Sequence, residues 1–487
     1  MRYHSTRSLT PTYSFLDAVE LGLAPDGGLL VPESIPTLTF SDLQAMRGLS
    51  YRDLCFRLLR MFIPAKDLFD VQLKSLIGKA YSSYDDDIIK VKEVQGIMVA
   101  ELFHGKTMSF KDLALGLLGE VMELMGSRND KHYNVVVATS GDTGSAAMAA
   151  LAGKNNADVY VLYPHNCISP IQELQMTSQS APNLHCVPIH GSFDDCQSLV
   201  KSLFASHSIP SLTAMNSINI ARVLFQMVYY FFLYFKCTEK LEEVAFAVPT
   251  GNFGNVLAGW YAKKMGLPIV RLVVATNEND VLHTFFQTGL YKRLPHVIPT
   301  ISPSMDIQIA SNFERYLYYA TNSCEEVSQL MDKLRSEGQF QVSEEVLRKC
   351  QADFLSTTVD QTRTKAVIRE IYQSEGYILD PHSAVAFAST QYITKPVISL
   401  ATAHYGKFIE AVREATGEAV PVPERLAGLK GPAQGVRVLP NRLEDVERFI
   451  LGEKKRKAAG SWPLVTLGLV VVGVAWLAYR RWKRSAK

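Results

Sequence analysis

The chain has 487 residues, of which 20% are charged and 47% hydrophobic, and its formal net charge is +2. That length predicts two or three domains of ordinary globular composition. The charge balance excludes a nucleic-acid surface built on bulk positive charge. The seven scattered cysteines show no metal-ligand spacing, so no metal site is expected and reduced thiols are the simplest account.

The first residues, Met1–Leu9, carry no apolar signal-peptide core. Residues 1–84 read as a mainly helical leader domain. Helical periodicity covers Tyr13–Leu23 and Phe40–Phe62, and Ala24–Gly28 forms a turn before the apolar run Leu29–Val31. The acidic triplet Asp85–Asp87 marks a boundary, and residues 85–451 read as the main body, with alternating short strands and helices. Ile97–Phe103 is a strand that leads to Lys111. After Lys111, apolar residues Leu113, Leu117, Val121, Leu124 and Met125 recur at helical spacing. Lys111 therefore sits at a helix N-terminus, where the positive end of the helix dipole opposes an ammonium group. Shielded by Phe103, Met108 and Phe110, such a lysine tends to lose its proton. A neutral amine is what Schiff-base chemistry uses.

Asn134–Ser140 is a continuous apolar strand of the parallel-sheet kind. The corner Gly141–Gly144, a helix over Ser145–Lys154 and a strand at Asp158–Tyr163 complete a βαβ unit. Val244–Pro249, Gly251–Asn255, Val256–Met265 and Ile269–Thr276 repeat that grammar, which argues for an open, mostly parallel α/β sheet. Helices follow at Ser311–Thr321 and Glu325–Gly338, a late strand at Pro396–Ala403, and helices at Lys407–Thr416 and Glu444–Leu451. Residues 452–461 read as a basic linker. Trp462–Tyr479 is a run of 18 uncharged, mostly apolar residues, followed by a basic tail at 480–487. Four Lys or Arg flank each side of the run, with aromatic residues at both margins, so it is expected to be a membrane-spanning helix.

Two glycine corners, Ser140–Ser145 and Gly251–Asn255, each join a strand to a helix N-terminus. Such corners cradle anions, because glycines let the backbone approach and the helix end presents free N–H groups. Neither is a Walker loop or a dinucleotide fingerprint. A shielded lysine with two anion loops on one sheet suits a phosphorylated carbonyl cofactor and an anionic substrate, and pyridoxal phosphate is the candidate.

The same residues carry a resemblance. His104-Gly-Lys-Thr-Met-Ser-Phe-Lys-Asp112, Ala138-Thr-Ser-Gly-Asp-Thr-Gly-Ser-Ala-Ala147, Ser169-Pro-Ile-Gln172, Asn216-Ser-Ile-Asn-Ile-Ala-Arg222, Asp380-Pro-His382 and Ala401-Thr-Ala-His404 occur in the order seen in threonine synthases. Tyr3–Arg7 and Gly22–Gly28 resemble the leader of the long, fungal and bacterial form. The resemblance implies fold type II of the pyridoxal-phosphate enzymes, like the tryptophan synthase β subunit: two open parallel-sheet lobes with an N-terminal leader domain. To these the chain adds the C-terminal transmembrane helix. It also implies conversion of O-phospho-L-homoserine and water to L-threonine and phosphate; with the reduced thiols and the tail, a cytoplasmic catalytic domain anchored by the C-terminal helix is expected.

By the resemblance, Lys111 forms the Schiff base and shuttles protons. Gly251, Asn252, Phe253, Gly254 and Asn255 hold the cofactor phosphate, Asp142 contacts the pyridoxal 3′-oxygen, and Thr402 meets the ring nitrogen. Ser140, Thr143, Asn216, Ser217 and Arg222 hold the substrate phosphate or carboxylate. Asn216 and Ser217 also read as helix caps, Asp380–His382 as a turn, and His104 as a structural histidine. Lys106, Ile220 and Tyr405-Gly406 depart from the family pattern. The departures leave open a phospholyase that releases 2-oxobutyrate, and the tail leaves open a membrane-bound, non-catalytic scaffold that binds the cofactor.

Overall fold

The computed structural model describes residues 1–85, 87–431 and 436–460. Two parallel-sheet lobes face each other. The larger sheet has six strands in the order Phe354–Thr358, Ile269–Thr276, Val244–Pro249, Val397–Ala401, Ile97–Glu101 and Lys90–Val94. All its neighbours are parallel except the last pair, which is an antiparallel hairpin. The smaller sheet has five parallel strands, in the order Leu439–Pro440, Leu184–His190, Ala157–Pro164, Tyr133–Ala138 and Leu212–Ala214. Tyr133–Ala138, Ala157–Pro164 and Val244–Pro249 are buried along their whole length. That burial is why these strands read as unbroken apolar runs rather than alternating ones.

The helix Ile220–Cys237 lies between the lobes and the leader. It packs on Tyr51–Arg60, Lys111–Asn129 and Gly254–Lys264. Among the described residues it is the one helix long and apolar enough to cross a membrane, yet 78% of that stretch is buried inside the protein. Helix packing in the core accounts for its composition. The expected membrane helix, Trp462–Tyr479, and the basic tail after it lie outside the described residues.

Several boundaries differ from the periodicity. The stretch Phe40–Phe62 is two helices, Phe40–Met46 and Tyr51–Arg60. Gly48 at φ +81° turns the chain between them, and Ser50 caps the second by accepting from the Asp53 N–H. Lys407 precedes its helix, which spans Ile409–Thr416 after a short 3₁₀ turn at Tyr405–Phe408. The last helix continues from Leu443 to Gly460, through the segment that read as a linker. Lys, Arg and Ala favour helix there, and no proline interrupts it.

Lys111–Asn129 joins the lobes. It leaves the larger sheet after Ile97–Glu101 and packs on Asp142–Leu151 of the smaller lobe. The two helices approach closely at Gly119, where a Cβ would lie 2.6 Å from the Ala150 carbonyl oxygen. Gly119→Ala gains about 1 kcal/mol of helix propensity. Overpacking costs about 1–3 kcal/mol and dominates, because the obstacle is backbone. Thermal unfolding of the variant should show a lowered midpoint, whereas an unchanged or raised midpoint would contradict this close approach.

Candidate active site

Four corners meet at the carboxyl ends of the parallel strands, where open α/β sheets place their ligand sites. They are Leu102–Asp112, Thr139–Asp142, Thr250–Gly254 and Thr402–Phe408. The two anion loops belong to different sheets, not to one as the sequence pattern suggested. Ser140–Ser145 follows Tyr133–Ala138 of the five-stranded sheet, and Gly251–Asn255 follows Val244–Pro249 of the six-stranded sheet. Each βα unit is locally identical in pattern, so only the pairing partners of its strand reveal which sheet it joins.

Lys111 is the first residue of its helix, whose N-cap Phe110 supplies no side-chain cap. The loop before it is tied to the strand end that carries Thr402. The Phe110 N–H donates to the Thr402 carbonyl at 2.8 Å, and Asp112 accepts from the Thr107 N–H at 2.8 Å and from the Thr107 hydroxyl at 2.7 Å. Lys111 Nζ lies 3.4 Å from Asp142 Oδ2 and 5.4 Å from the Phe110 ring centre. Burial lowers the Lys111 pKa from the ordinary lysine value. The Asp142 charge opposes that shift, and the cations of Arg222 and Lys407 reinforce it.

Asp142 is the electrostatic centre. Its Oδ1 accepts from Lys407 Nζ at 2.9 Å and from Gln172 Nε2 at 2.9 Å, while Oδ2 faces Lys111. Burial opposes its ionisation, but the Lys407 and Lys111 charges and the Gln172 bond outweigh it and hold the carboxyl well below the usual range. Gly141 makes this possible. It sits at φ +135°, and a Cβ there would be 2.4 Å from the Gln172 side chain. The N-cap of the helix that begins at Asp142 is Gly141, which has no side chain to close it; Thr139 Oγ1 accepts from the Gly144 N–H at 3.0 Å, and Ser140 and Thr143 stand partly exposed beside the first turn.

The second cradle has the same character. Phe253 holds φ +63°, and the helix Gly254–Lys264 also lacks a side-chain cap. A Cβ on Gly251 would lie 2.8 Å from the Ser304 carbonyl oxygen. Asn255 Oδ1 accepts from the Tyr229 hydroxyl at 2.6 Å and the Tyr230 hydroxyl at 2.8 Å, which leaves the buried Nδ2 without an acceptor. Asn252 Oδ1 accepts from Ser311 at 3.1 Å, and Ser311 lies 2.8 Å from the Ser217 hydroxyl. Ser217 is thus tied to this cradle's side of the site.

Arg222 is 3% exposed, and among the described residues no carboxylate lies within ion-pair distance. Its Nε has no partner, and one terminal nitrogen reaches the Met215 carbonyl at 3.4 Å. Burial lowers its pKa to about 10. A buried cation left without an anion is costly unless a ligand supplies the charge. Asn216 Oδ1 is likewise buried without a partner. Asn219, rather than Asn216 or Ser217, caps the helix that carries Arg222. These features fit a phosphorylated pyridoxal group and a second anion: an amine of lowered pKa, two uncapped helix ends, and buried donors at Asn255 and Arg222 without acceptors.

Two features were not anticipated. Lys407 and Gln172 reach Asp142, and no spacing rule signals that a lysine beside a helix start is buried. Asp380 is more than a turn residue. It caps Pro381–Ala388, accepts from Ser383 Oγ–H, and lies 2.8 Å from His382 Nδ1. The Ser304 N–H donates to His382 Nε2 at 3.1 Å, which fixes the ring's tautomer, and the Thr402 N–H donates to Ser383 Oγ at 3.1 Å. His104 Nε2 lies 2.8 Å from Glu101. The Tyr405-Gly406 departure is absorbed locally: the Tyr405 hydroxyl donates to the Pro421 carbonyl at 3.1 Å, and a Cβ on Gly406 would lie 2.7 Å from Pro423.

Residues 2–81 match the family model "Threonine synthase N terminus", 93–396 match "Pyridoxal-phosphate dependent enzyme", and 383–450 match "Threonine synthase, C-terminal". The threonine synthase of Pseudomonas aeruginosa is 39% identical over 462 residues, which span 92% of this chain and 98% of that one. The threonine synthase of Saccharomyces cerevisiae is 42% identical over 455 residues, 85% and 88% of the two chains. The crystal structure of pyridoxal-phosphate-bound threonine synthase from Brucella melitensis matches with a TM-score of 0.87 at 39% identity, covering 92% of this chain and 98% of that one.

Arg222→Met tests the unpaired cation. The unliganded variant should be no less stable than the parent, since no ion pair is broken. Millimolar inorganic phosphate should raise the melting temperature of the parent and leave the variant's unchanged. An equal rise in both would contradict the assignment of Arg222 to anion binding.

Proposed function

The chain belongs to the threonine synthase family of pyridoxal-phosphate-dependent lyases, and on that premise we propose that it converts O-phospho-L-homoserine and water to L-threonine and phosphate, with Lys111 holding the cofactor. The observation that supports this most is a largely covered lysine of lowered pKa, 3.4 Å from the carboxylate that begins one helix, in a chain whose two glycine corners open helix N-termini on opposite lobes.

Lys111 would hold the cofactor through its ε-amine, and the 251–255 corner would take the cofactor phosphate with its free N–H groups and Asn255 Nδ2. Asp142 would face the 3′-oxygen, and Thr402 the ring nitrogen. Pyridoxal phosphate, when bound, supplies the electron sink for the charge left as C–H bonds break beside the amino group. Displaced by the substrate amine, Lys111 is placed to take the α-proton; burial and the neighbouring Arg222 and Lys407 charges lower its pKa, and Asp142 opposes that shift. Loss of a β-proton then expels the γ-phosphate. Return of a proton at Cγ, and addition of water across the Cα–Cβ double bond with hydroxyl to Cβ and a proton back to Cα, complete threonine, so one phosphate leaves and one water enters. Arg222, Ser140, Thr143, Asn216 and Ser217 would bind the substrate phosphate or carboxylate. A dianionic leaving group needs fixed donors in a dry site, which the uncapped helix at Asp142 and the Arg222 guanidinium offer.

We further propose that Trp462–Tyr479 anchors the catalytic domain to the cytoplasmic face of a membrane. Its 18 uncharged residues lie between two basic clusters. As a helix they extend about 27 Å at the standard rise, close to the thickness of a bilayer's hydrocarbon core.

Incubation of the full chain with O-phospho-L-homoserine should yield threonine and phosphate in equal amounts, and Lys111→Ala should fold but yield neither. Release of 2-oxobutyrate without threonine would contradict the assigned reaction. Expressed full-length, the chain should resist extraction by alkaline carbonate, and a version lacking residues 462–487 should be released. Release of both would refute the anchor.

A further inference from the structure

Two lysines bracket one carboxylate, and they are not equivalent. Lys407 Nζ is fully buried and makes two short bonds, at 2.9 Å to Asp142 Oδ1 and at 2.7 Å to the Thr107 carbonyl. Lys111 Nζ makes one long contact, at 3.4 Å to Asp142 Oδ2. The lysine that must be free to leave is therefore the loosely held one. The other is anchored at its backbone too: the Lys407 N–H donates to the His404 carbonyl at 3.1 Å, and the Ser169 hydroxyl donates to the Lys407 carbonyl at 3.3 Å. Asp142 begins a helix of the five-stranded lobe, whereas Lys407 follows the last strand of the six-stranded lobe. The pair thus crosses between the lobes at the site itself.

When Lys111 holds the cofactor, its nitrogen is no longer a free ammonium that can balance Asp142. A buried carboxylate beside the electron-rich oxygen of a bound pyridoxal group then needs another cation. Arg222 makes no ion pair with Asp142, so among the described residues Lys407 is the one other cation in hydrogen-bond reach.

We propose that Lys407 is a positioning residue: its ammonium, clamped between Asp142 and the Thr107 carbonyl, keeps the Asp142 carboxylate charged, aimed and joined across the lobes while Lys111 exchanges between Asp142, cofactor and substrate. This rests on the reading of Lys111 as the cofactor-holding residue. The charges around the Lys111 nitrogen are Asp142 and, as cations, Lys407 and Arg222, with the buried Asp112 acting on Lys407's side. Removing Lys407 leaves Arg222 alone to oppose Asp142 at Lys111, so the Lys111 nitrogen should bind its proton more tightly.

The test uses full-length Lys407→Met, Lys407→Arg, Asp142→Asn and the double variant Lys407→Met/Asp142→Asn. Each is stripped of cofactor and titrated with pyridoxal phosphate, followed by visible absorbance at several pH values and by thermal unfolding. Lys407→Met should weaken cofactor binding about tenfold or more and raise the pH midpoint of the absorbance change by about one unit, as expected for the loss of a nearby like charge. Lys407→Arg should recover part of both. Asp142→Asn in the Met background should restore stability, because the unpaired carboxylate is gone. Additive losses in the double variant, or a lower melting temperature with affinity and pH midpoint unchanged, would overturn the proposal. Survival of the parent's absorbance band in Lys111→Ala would instead refute the assignment of Lys111, whatever Lys407 does.

Discussion

The fold's chemistry hangs on the Asp142 carboxylate, a buried anion placed where two lobes and two lysines meet. Its ion pairs with Lys111 and Lys407 draw the six-stranded lobe toward the five-stranded one, and Gln172 fixes its rotamer from the same side as Lys407. Taking three charges out of water is expensive, and Coulomb attraction repays it only when geometry is tight and the remaining donors are satisfied. Lys407 meets that condition and Lys111 does not. The imbalance suits a site in which one lysine is scaffold and the other is reagent.

Around this centre the protein leaves helix ends open that it caps elsewhere. Ser14, Thr39 and Ser192 close their helices with reciprocal side-chain bonds. The helices that begin at Lys111, Asp142 and Gly254 have no such cap. At Lys111 the loop itself takes up the first N–H groups, through Thr402, Ser109 and Phe110, whereas the glycine corners before Asp142 and Gly254 leave helix N-termini of the kind that bind anions. The central helix Ile220–Cys237 holds this arrangement together: its first turn carries Arg222, and its Tyr229 and Tyr230 orient the Asn255 amide. Buried tyrosines spent on one asparagine oxygen make sense if the amide nitrogen must point at something.

Much of this was legible in the sequence. Strands buried on both faces, such as Tyr133–Ala138 and Val244–Pro249, announce themselves as apolar runs, and glycine corners announce tight turns before helices. Lys111 was legible as the start of a helix because the apolar spacing after it is unbroken. Sheet membership was not, since strand pairing is a long-range property and each βα unit looks the same from within. Lys407 was invisible for a related reason: its ammonium is held by the Thr107 carbonyl and Asp142, far away in the chain, and a lysine beside a helix start reads as solvated. The break at Gly48 was available but overridden by the periodicity on either side. The Asp380–His382–Ser304 relay could not be inferred, because its last member lies 78 residues from the histidine in the chain.

One lysine belongs to the proposed cofactor site and the other to the scaffold, although their amines share a single carboxylate. Borohydride reduction of the pyridoxal-phosphate-loaded protein, followed by proteolysis and mass spectrometry, separates them directly. The pyridoxyl group should be found on the peptide containing Lys111 and nowhere else in the chain; its recovery on Lys407, or on neither lysine, would contradict the account.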